Sequence, residues 1–384
     1  MNPTLSFKIK FTRLWFKSTN IILNFIRFLL YEKYHMPQKI LVFRTGSMGD
    51  SICAMPAMVN IRENFKECSI DLLTNSGKGY ASLVSIERLI SPGIFDSIIN
   101  YENMSRSELI SILKHNKYDL VIQLPQYGAY LHTLVRDMIF FRFVIKIRSG
   151  FGWQYSKHIF FKKTQGEYGV NINERDRLNN ILSENGLIKG EPNKYPFQLT
   201  DSDYKATQSI WESLSIDGSK PLIGVIVGAK RPQNRWPLSN FEQIIKHYSN
   251  SYNFLFIGSE EDANLVNELL NYSNTYSCCG LLTPLQSGIM LQRCIMTISN
   301  DTGPMHLSYA FGQPLIALFS NRDYPKRWYP PESEYNIVFR ATGIECSICL
   351  SETCKNNICM KKITPQEVIF EMDKLLNKLK QNKR

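Results

Sequence analysis

The chain has no run of about 18 apolar residues, the minimum for a membrane-crossing helix. Its best candidate, residues 21–30, is broken by Asn24 and Arg27. No small-residue cleavage site follows that run. Tyr31, Glu32, Lys33 and Tyr34 stand there instead, which argues against a secretory signal and predicts a cytoplasmic protein. A dinucleotide fingerprint G-x-G-x-x-G is missing, and so is the G-K-[ST] of a Walker loop. RRM, KH and helix-turn-helix signatures are missing too, so a non-enzymatic nucleic-acid-binding reading has only the net charge to stand on. Acid is scarce at the amino end, where Glu32 is the single carboxylate in residues 1–38.

What is present fits a large globular protein. The length of 384 residues exceeds what one hydrophobic core usually serves, so two domains are expected. A hydrophobic share of 43% against 21% charged residues excludes disordered and fibrous classes. The formal net charge of +11 favours anionic partners: nucleotide phosphates, acidic lipids or nucleic acid. Of nine cysteines, Cys53, Cys68, Cys278, Cys279 and Cys294 are scattered among apolar neighbours and read as buried free thiols.

Residues 1–38 form a segment of their own. Lys8, Lys10, Arg13, Lys17, Arg27 and Lys33 are interleaved with Phe7, Phe11, Leu14, Trp15, Phe16, Ile22, Phe25 and Phe28 at near-helical spacing. This pattern predicts a basic amphipathic helix on an anionic membrane surface. The rival reading is a helix packing its aromatics on the protein's own body.

From residue 39 strands and helices alternate. Residues 39–44, 69–74, 97–100, 118–124 and 143–147 read as strands, with helices over 50–65, 105–115 and 127–140. Helices over 173–186 and 202–214 flank a linker-like stretch at 189–196. A second series has strands at 221–227, 253–257, 295–299 and 315–319 and helices at 238–248, 261–272, 284–293 and 304–311. The expectation is an α/β protein of two Rossmann-like parallel-sheet domains facing a cleft, over 39–200 and 201–384, with ligands beyond the carboxyl ends of strands.

Four strand ends carry candidate chemistry. The turn Arg44-Thr-Gly-Ser-Met-Gly-Asp50 follows the first strand. Gly46 and Gly49 permit a tight turn, and Asp50 sits where the helix N-cap is expected, as the cap or as a general base for a hydroxyl. The segment Asp301-Thr-Gly-Pro-Met-His306 opens a helix whose free N–H groups suit a diphosphate. The loop 228–237 places Lys230, Arg231 and Arg235 at a strand end, suited to phosphate neutralisation. Glu260 follows another strand, where a carboxylate can hold ribose hydroxyls or simply favour a helix start.

Taken in order, these segments resemble the heptosyltransferases, glycosyltransferase family nine. The resemblance rests on Arg44, Ser47, Gly49, Asp50, Pro56 and Ala57, on the Gly228–Pro237 loop, on Gly258, Ser259 and Glu260, and on Asp301, Thr302, Gly303 and His306. It spans about residues 39–375. It implies a GT-B fold with the acceptor on the first domain and the nucleotide sugar on the second. It implies metal-independent, inverting transfer without a cofactor, usually from ADP-heptose, to a lipopolysaccharide or other surface-glycan acceptor. Asp50 then matches the general base, with Arg44, Ser47 and Gly49 in the acceptor-side loop. Lys230, Arg231, Arg235, Glu260, Asp301, Thr302, Gly303 and His306 match donor contacts. The pattern departs at Asn234, where the family carries Lys, and the basic amino-terminal segment is outside it. A GT-B nucleotide-sugar epimerase is the alternative enzyme.

The carboxyl-terminal part adds Cys346, Cys349, Cys354 and Cys359, four thiols within 14 residues. Their spacing admits a structural zinc site, paired disulfides or free thiols.

Overall fold

The computed structural model describes residues 3–33, 36–75, 86–126, 129–152, 162–164, 167–169, 172–189 and 194–381. Residues 127–128 of an expected helix and 190–193 of the expected linker lie outside them, as do the side chains of Phe7, Lys8, Lys10, Arg13 and Phe16. The chain divides into two compact units: Met1–Thr164 with Tyr168–Gln198, and Gln165–Glu167 with Leu199–Arg384.

Unit 1 opens with helix α1 (Pro3–Leu30). Strands β1 (Lys39–Phe43), β2 (Ser69–Thr74), β3 (Ser97–Asn100), β4 (Leu120–Gln123) and β5 (Ser149–Phe151) form a five-stranded sheet in the order β3-β2-β1-β4-β5. All neighbours are parallel. Near-continuous apolar runs such as Lys39–Phe43 suit strands buried on both faces. Helix α2 (Met48–Asn64) is buried along most of its length and packs on α5 (Glu174–Glu184). Asn60 Nδ2 donates to Asn179 Oδ1 across that contact at 3.1 Å. Helices α3 (Arg106–His115) and α4 (Leu131–Ile139) complete the unit.

The stretch 143–147 is not the expected strand. The chain continues from α4 as a π-helix, Phe140–Ile145, and the strand follows at β5. A short apolar run of Phe, Val and Ile has no periodicity that separates strand from buried helix, and packing decided it. A small ladder, β6 (Lys162–Thr164) with β7 (Glu167–Gly169), comes next.

Unit 2 begins with helix α6 (Asp201–Ser213), capped by Thr200. Its sheet has six parallel strands: β8 (Leu222–Ile226), β9 (Asn253–Phe256), β10 (Thr275–Ser277), β11 (Met296–Asn300), β12 (Leu315–Phe319) and β13 (Asn336–Arg340). The order is β10-β9-β8-β11-β12-β13. The edge strands β10 and β13 escaped the sequence reading because Tyr276 and Asn336–Arg340 are only half-buried and lack a clean apolar run. Helices α7 (Leu238–His247), α8 (Glu260–Val266), α9 (Pro284–Leu291), α10 (Gly303–Ala310), the short α11 (Ile358–Lys361) and α12 (Pro365–Gln381) cover the sheet. Val368, Met372, Leu375 and Leu376 of α12 bury its apolar stripe in the same core as Trp236.

Candidate active site

In both sheets the strand order reverses once near the middle, between β1 and β4 in unit 1 and between β8 and β11 in unit 2. Loops leaving adjacent strands in opposite directions open a crevice at such a point, and open α/β sheets bind ligands there. The motifs after β1, β8 and β11 all lie at these two places.

In unit 1 the turn after β1 is built around a buried guanidinium. Arg44 donates from Nη1 to the carbonyls of Leu124 and Pro125 at 3.0 and 3.1 Å, stitching the ends of β1 and β4 together. Its Nη2 donates to the Asp50 carbonyl at 3.0 Å. Glu174, buried at the start of α5, lies 3.7 Å from Arg44 and accepts from Arg177 Nε at 2.6 Å. A buried Arg–Glu–Arg chain thus backs the turn. The sequence reading missed Glu174 and Arg177, since each looks like an ordinary surface charge on an amphipathic helix; buried charges persist only when paired.

Asp50 is not the cap itself. Ser47 is the N-cap of α2, and Asp50, three residues on, accepts the Ser47 N–H and hydroxyl with Oδ2 at 2.9 and 2.7 Å. Its Oδ1 faces Arg44 at 3.9 Å. Gly46 has φ +153°, and a Cβ there would come within 2.5 Å of Asp50 Cβ, so only glycine lets the turn close over the carboxylate. Gly49 does not share this role. It lies in the first turn of α2, outside the positive-φ set.

In unit 2 two loops are joined. Asn300, the last residue of β11, accepts the Trp236 N–H at 3.0 Å and donates to the Val227 carbonyl at 2.7 Å. Buried Asn234 donates to Asp301 Oδ2 at 3.1 Å and accepts from Ser320 at 2.7 Å. The neutral amide that departs from the resembled pattern therefore ties the basic loop to the ends of β11 and β12. Desolvation, with Asp323 adding repulsion, pushes the Asp301 carboxyl up to about 7, against Arg231, Arg322 and Arg327, which pull it down. Thr302 is the N-cap of α10, with Gly303 and Pro304 in its first turn.

The remaining expected contacts divide. Lys230 is exposed, and Arg231 donates to Glu352 at 2.9 Å from the loop surface. Arg235 turns back onto its own loop and donates to the Ala229 carbonyl at 3.0 Å. Glu260 is exposed at the start of α8; the cap carboxylate there is Asp262, which accepts from Ser259 N–H and hydroxyl at 2.8 and 2.9 Å. His306 is buried rather than presented at the turn, with Nδ1 at 2.9 Å from the Tyr309 hydroxyl and its ring near Trp328. The loop after β12 was missed. Arg322 donates to the Ser351 carbonyl at 2.7 Å, and Arg327 holds both Asp323 oxygens at 3.0 Å. Its position after a central strand was the available signal.

The four-thiol zinc site is not assembled. Among the described residues no three Cys, His, Asp or Glu side chains are grouped to hold a metal ion. Cys359 is drawn into the core with Trp236 and Met360, whereas Cys346, Cys349 and Cys354 are exposed. Cys354 Sγ accepts the Asn357 N–H at 3.3 Å instead. Of the scattered thiols, Cys53, Cys278, Cys279 and Cys294 are buried as expected, and Cys68 is half-buried, donating to the Pro37 carbonyl.

The profile of glycosyltransferase family 9 (heptosyltransferase) matches residues 106–359. The chain is 25% identical over 354 residues to lipooligosaccharide heptosyltransferase 2 of Campylobacter jejuni, covering 88% of this chain and 99% of that protein. The solved glycosyl transferase family 9 protein from Veillonella parvula superposes with TM-score 0.68 at 18% identity, covering 89% of this chain and 97% of that one. ADP-heptose lps heptosyltransferase II of E. coli superposes with TM-score 0.63 at 20% identity, covering 90% and 100%. At these identities the two structures speak for the fold, which is GT-B.

Proposed function

The chain belongs to glycosyltransferase family 9, and from that membership we propose that it moves heptose from ADP-heptose to a lipopolysaccharide-type acceptor at the cytoplasmic face of the cell membrane. The observation that carries the reading is the placement of the family's motifs at the switch point of each sheet. Unit 1 takes the acceptor. Asp50 accepts the proton of the attacking hydroxyl, using Oδ1, while Ser47 and Arg44 fix the carboxylate in place. Attack on the anomeric carbon from the side opposite the leaving diphosphate inverts that centre.

Unit 2 takes the donor. The first turn of α10 and the cations Lys230, Arg231 and Arg322 receive the diphosphate, whose departing charge they stabilise without a metal ion. Glu260, one strand away after β9, holds the ribose. His306, bonded to Tyr309 of its own helix, steadies α10 against Trp328 of the loop after β12, and Arg235 braces the basic loop.

Helix α1 holds the enzyme on an anionic membrane. One side of it packs on α4, burying Thr19 and Leu23, and Tyr31 donates to the Met138 carbonyl just beyond. The other side exposes Phe11, Leu14, Trp15, Ile22, Phe25, Phe28 and Leu29, an arc of about 140° at 3.6 residues per turn. Helix α1 packs on the body along one face, as the rival reading expects, and leaves an aromatic face open to meet the membrane. No helix among the described residues is long and apolar enough to cross a membrane.

The test is acceptor dependence. ADP release from ADP-heptose should require an added heptose-accepting lipopolysaccharide core. Release at the same rate without acceptor would replace transfer by hydrolysis, and conversion of the donor sugar to an epimer would replace it by epimerisation.

A further inference from the structure

At the amino ends of β1, β4 and β5, the edge of the sheet opposite the Arg44–Asp50 turn, lies a hollow of about 760 Å³. The proposed reaction makes no use of it. Five cations line it, Lys33, Lys114, Lys117, Lys146 and Arg148, against Glu32 and Asp119. Asp119 is already committed, accepting the Gln38 and Lys39 N–H groups at 2.9 Å. Among the described residues none of the five cations is in an ion pair. Five like charges around one solvent-open space repel one another, and an anion between them removes that cost.

The backbone adds an independent sign. In unit 1 the described non-glycine residues with positive φ are Met36 (43°), Lys117 (50°) and Lys146 (73°), and all three line this hollow. Lys117 follows the end of α3, and Lys146 ends the π-helix. Such stops usually carry Gly or Asn, because an L side chain there costs about 1 kcal/mol or more. A lysine near a helix carboxyl end answers the local dipole. That accounts for one charge at each end, but not for five converging on one space.

The rim is apolar. Helix α1 ends there, with Glu32 bridging to Ser149, and Phe28 and Leu29 one turn earlier are 77% and 62% exposed. Met36 is 94% exposed on the lining itself, and Phe143 is exposed three residues before Lys146. We propose that this hollow binds the phosphate of an anionic phospholipid headgroup, with Phe28, Leu29 and Met36 entering the acyl boundary beside it. The inference rests on the reading of α1 as the membrane attachment and gives that attachment a headgroup site. A soluble phosphate has no use for these exposed apolar side chains.

Co-sedimentation of the full chain with phosphatidylcholine vesicles, with and without a minor share of phosphatidylglycerol, tests it. Lys117→Asn/Lys146→Asn removes two charges while keeping residues that tolerate the left-handed backbone. Lys114→Gln/Arg148→Gln removes two others at ordinary backbone. Each pair should weaken binding to anionic vesicles by about 10- to 30-fold, with ADP affinity unchanged and with ADP release from ADP-heptose in the presence of a soluble acceptor fragment unchanged. The exposed control pair Lys205→Gln/Lys361→Gln should change vesicle binding less than about twofold. Wild-type affinity in both hollow pairs overturns the proposal, as does an equal loss in the control pair, which means diffuse attraction. If millimolar inorganic phosphate stabilises the wild type but not the hollow pairs and strips it from vesicles, the site serves soluble phosphate and the lipid assignment falls. Phe28→Ser/Leu29→Ser reports separately on α1: loss of vesicle binding there supports the attachment, and its retention removes α1 while the hollow pairs still report on the headgroup.

Discussion

Each unit places a carboxylate beside the switch point of its sheet, Asp50 after one flanking strand and Asp301 after the other, and surrounds it differently. Asp50 follows β1 and receives two hydrogen bonds from Ser47, with Arg44 beyond. Asp301 follows β11 and receives a neutral amide from Asn234, with Asp323 as a repelling neighbour. The first arrangement fixes the orientation of the carboxylate, with Oδ2 held by Ser47 and Oδ1 turned toward Arg44. The second raises the carboxyl to about 7, so its charge varies across the physiological range beside loops suited to a diphosphate. Asp50 is thus set by its own turn, whereas Asp301 is set by neighbours from the loops after other strands.

The sharpest way to break this contrast is Asp50→Asn. It should cut turnover by roughly 10²–10⁴-fold with ADP affinity unchanged, measured by steady-state kinetics and calorimetry; near-normal turnover would remove Asp50 from the mechanism. Glu174→Gln tests whether the contrast depends on the buried chain behind Arg44. Removing one partner of a buried ion network should destabilise by about 3–5 kcal/mol, read from denaturant unfolding. A loss below about 1 kcal/mol would mean that the chain contributes little.

Gly46→Ala asks whether the turn over Asp50 needs its glycine. The 2.5 Å approach and the positive φ predict a loss of about 1–3 kcal/mol and a fall in turnover larger than that in ADP affinity. Asp301 carries the pH dependence. Its folded value of about 7 lies above the ordinary carboxylate value, so its stabilising protonation is complete at low pH and is lost as pH rises through 7. Asp301→Asn should therefore raise the melting temperature at pH 8, by the equivalent of about 1–2 kcal/mol after screening, with the gain vanishing near pH 4. A gain independent of pH would assign it to something other than this titration. The smallest effect is expected from Asn234→Lys, which should lower the Asp301 titration and tighten ADP several-fold; unchanged titration by carboxyl-selective NMR would separate Asn234 from Asp301.

The sequence alone determined the parts that depend on local pattern. Buried strands such as 222–226 read as apolar runs because both their faces are covered, and the turns after β1 and β11 were visible from Gly, Asp and Pro at fixed spacing. The amphipathic α1 was legible from its 3.6-residue period. Tertiary structure decided what depends on residues far apart in the chain. It turned the apolar run at 140–145 into a π-helix, drew Glu174 and Arg177 under Arg44, and buried Cys359 in the core while leaving Cys346, Cys349 and Cys354 exposed. It also gathered Lys33, Lys114 and Lys146 around one hollow. A residue's period and spacing fix its helix or strand, but its charge state and partners follow from desolvation and neighbours that only the folded chain brings within a few ångströms.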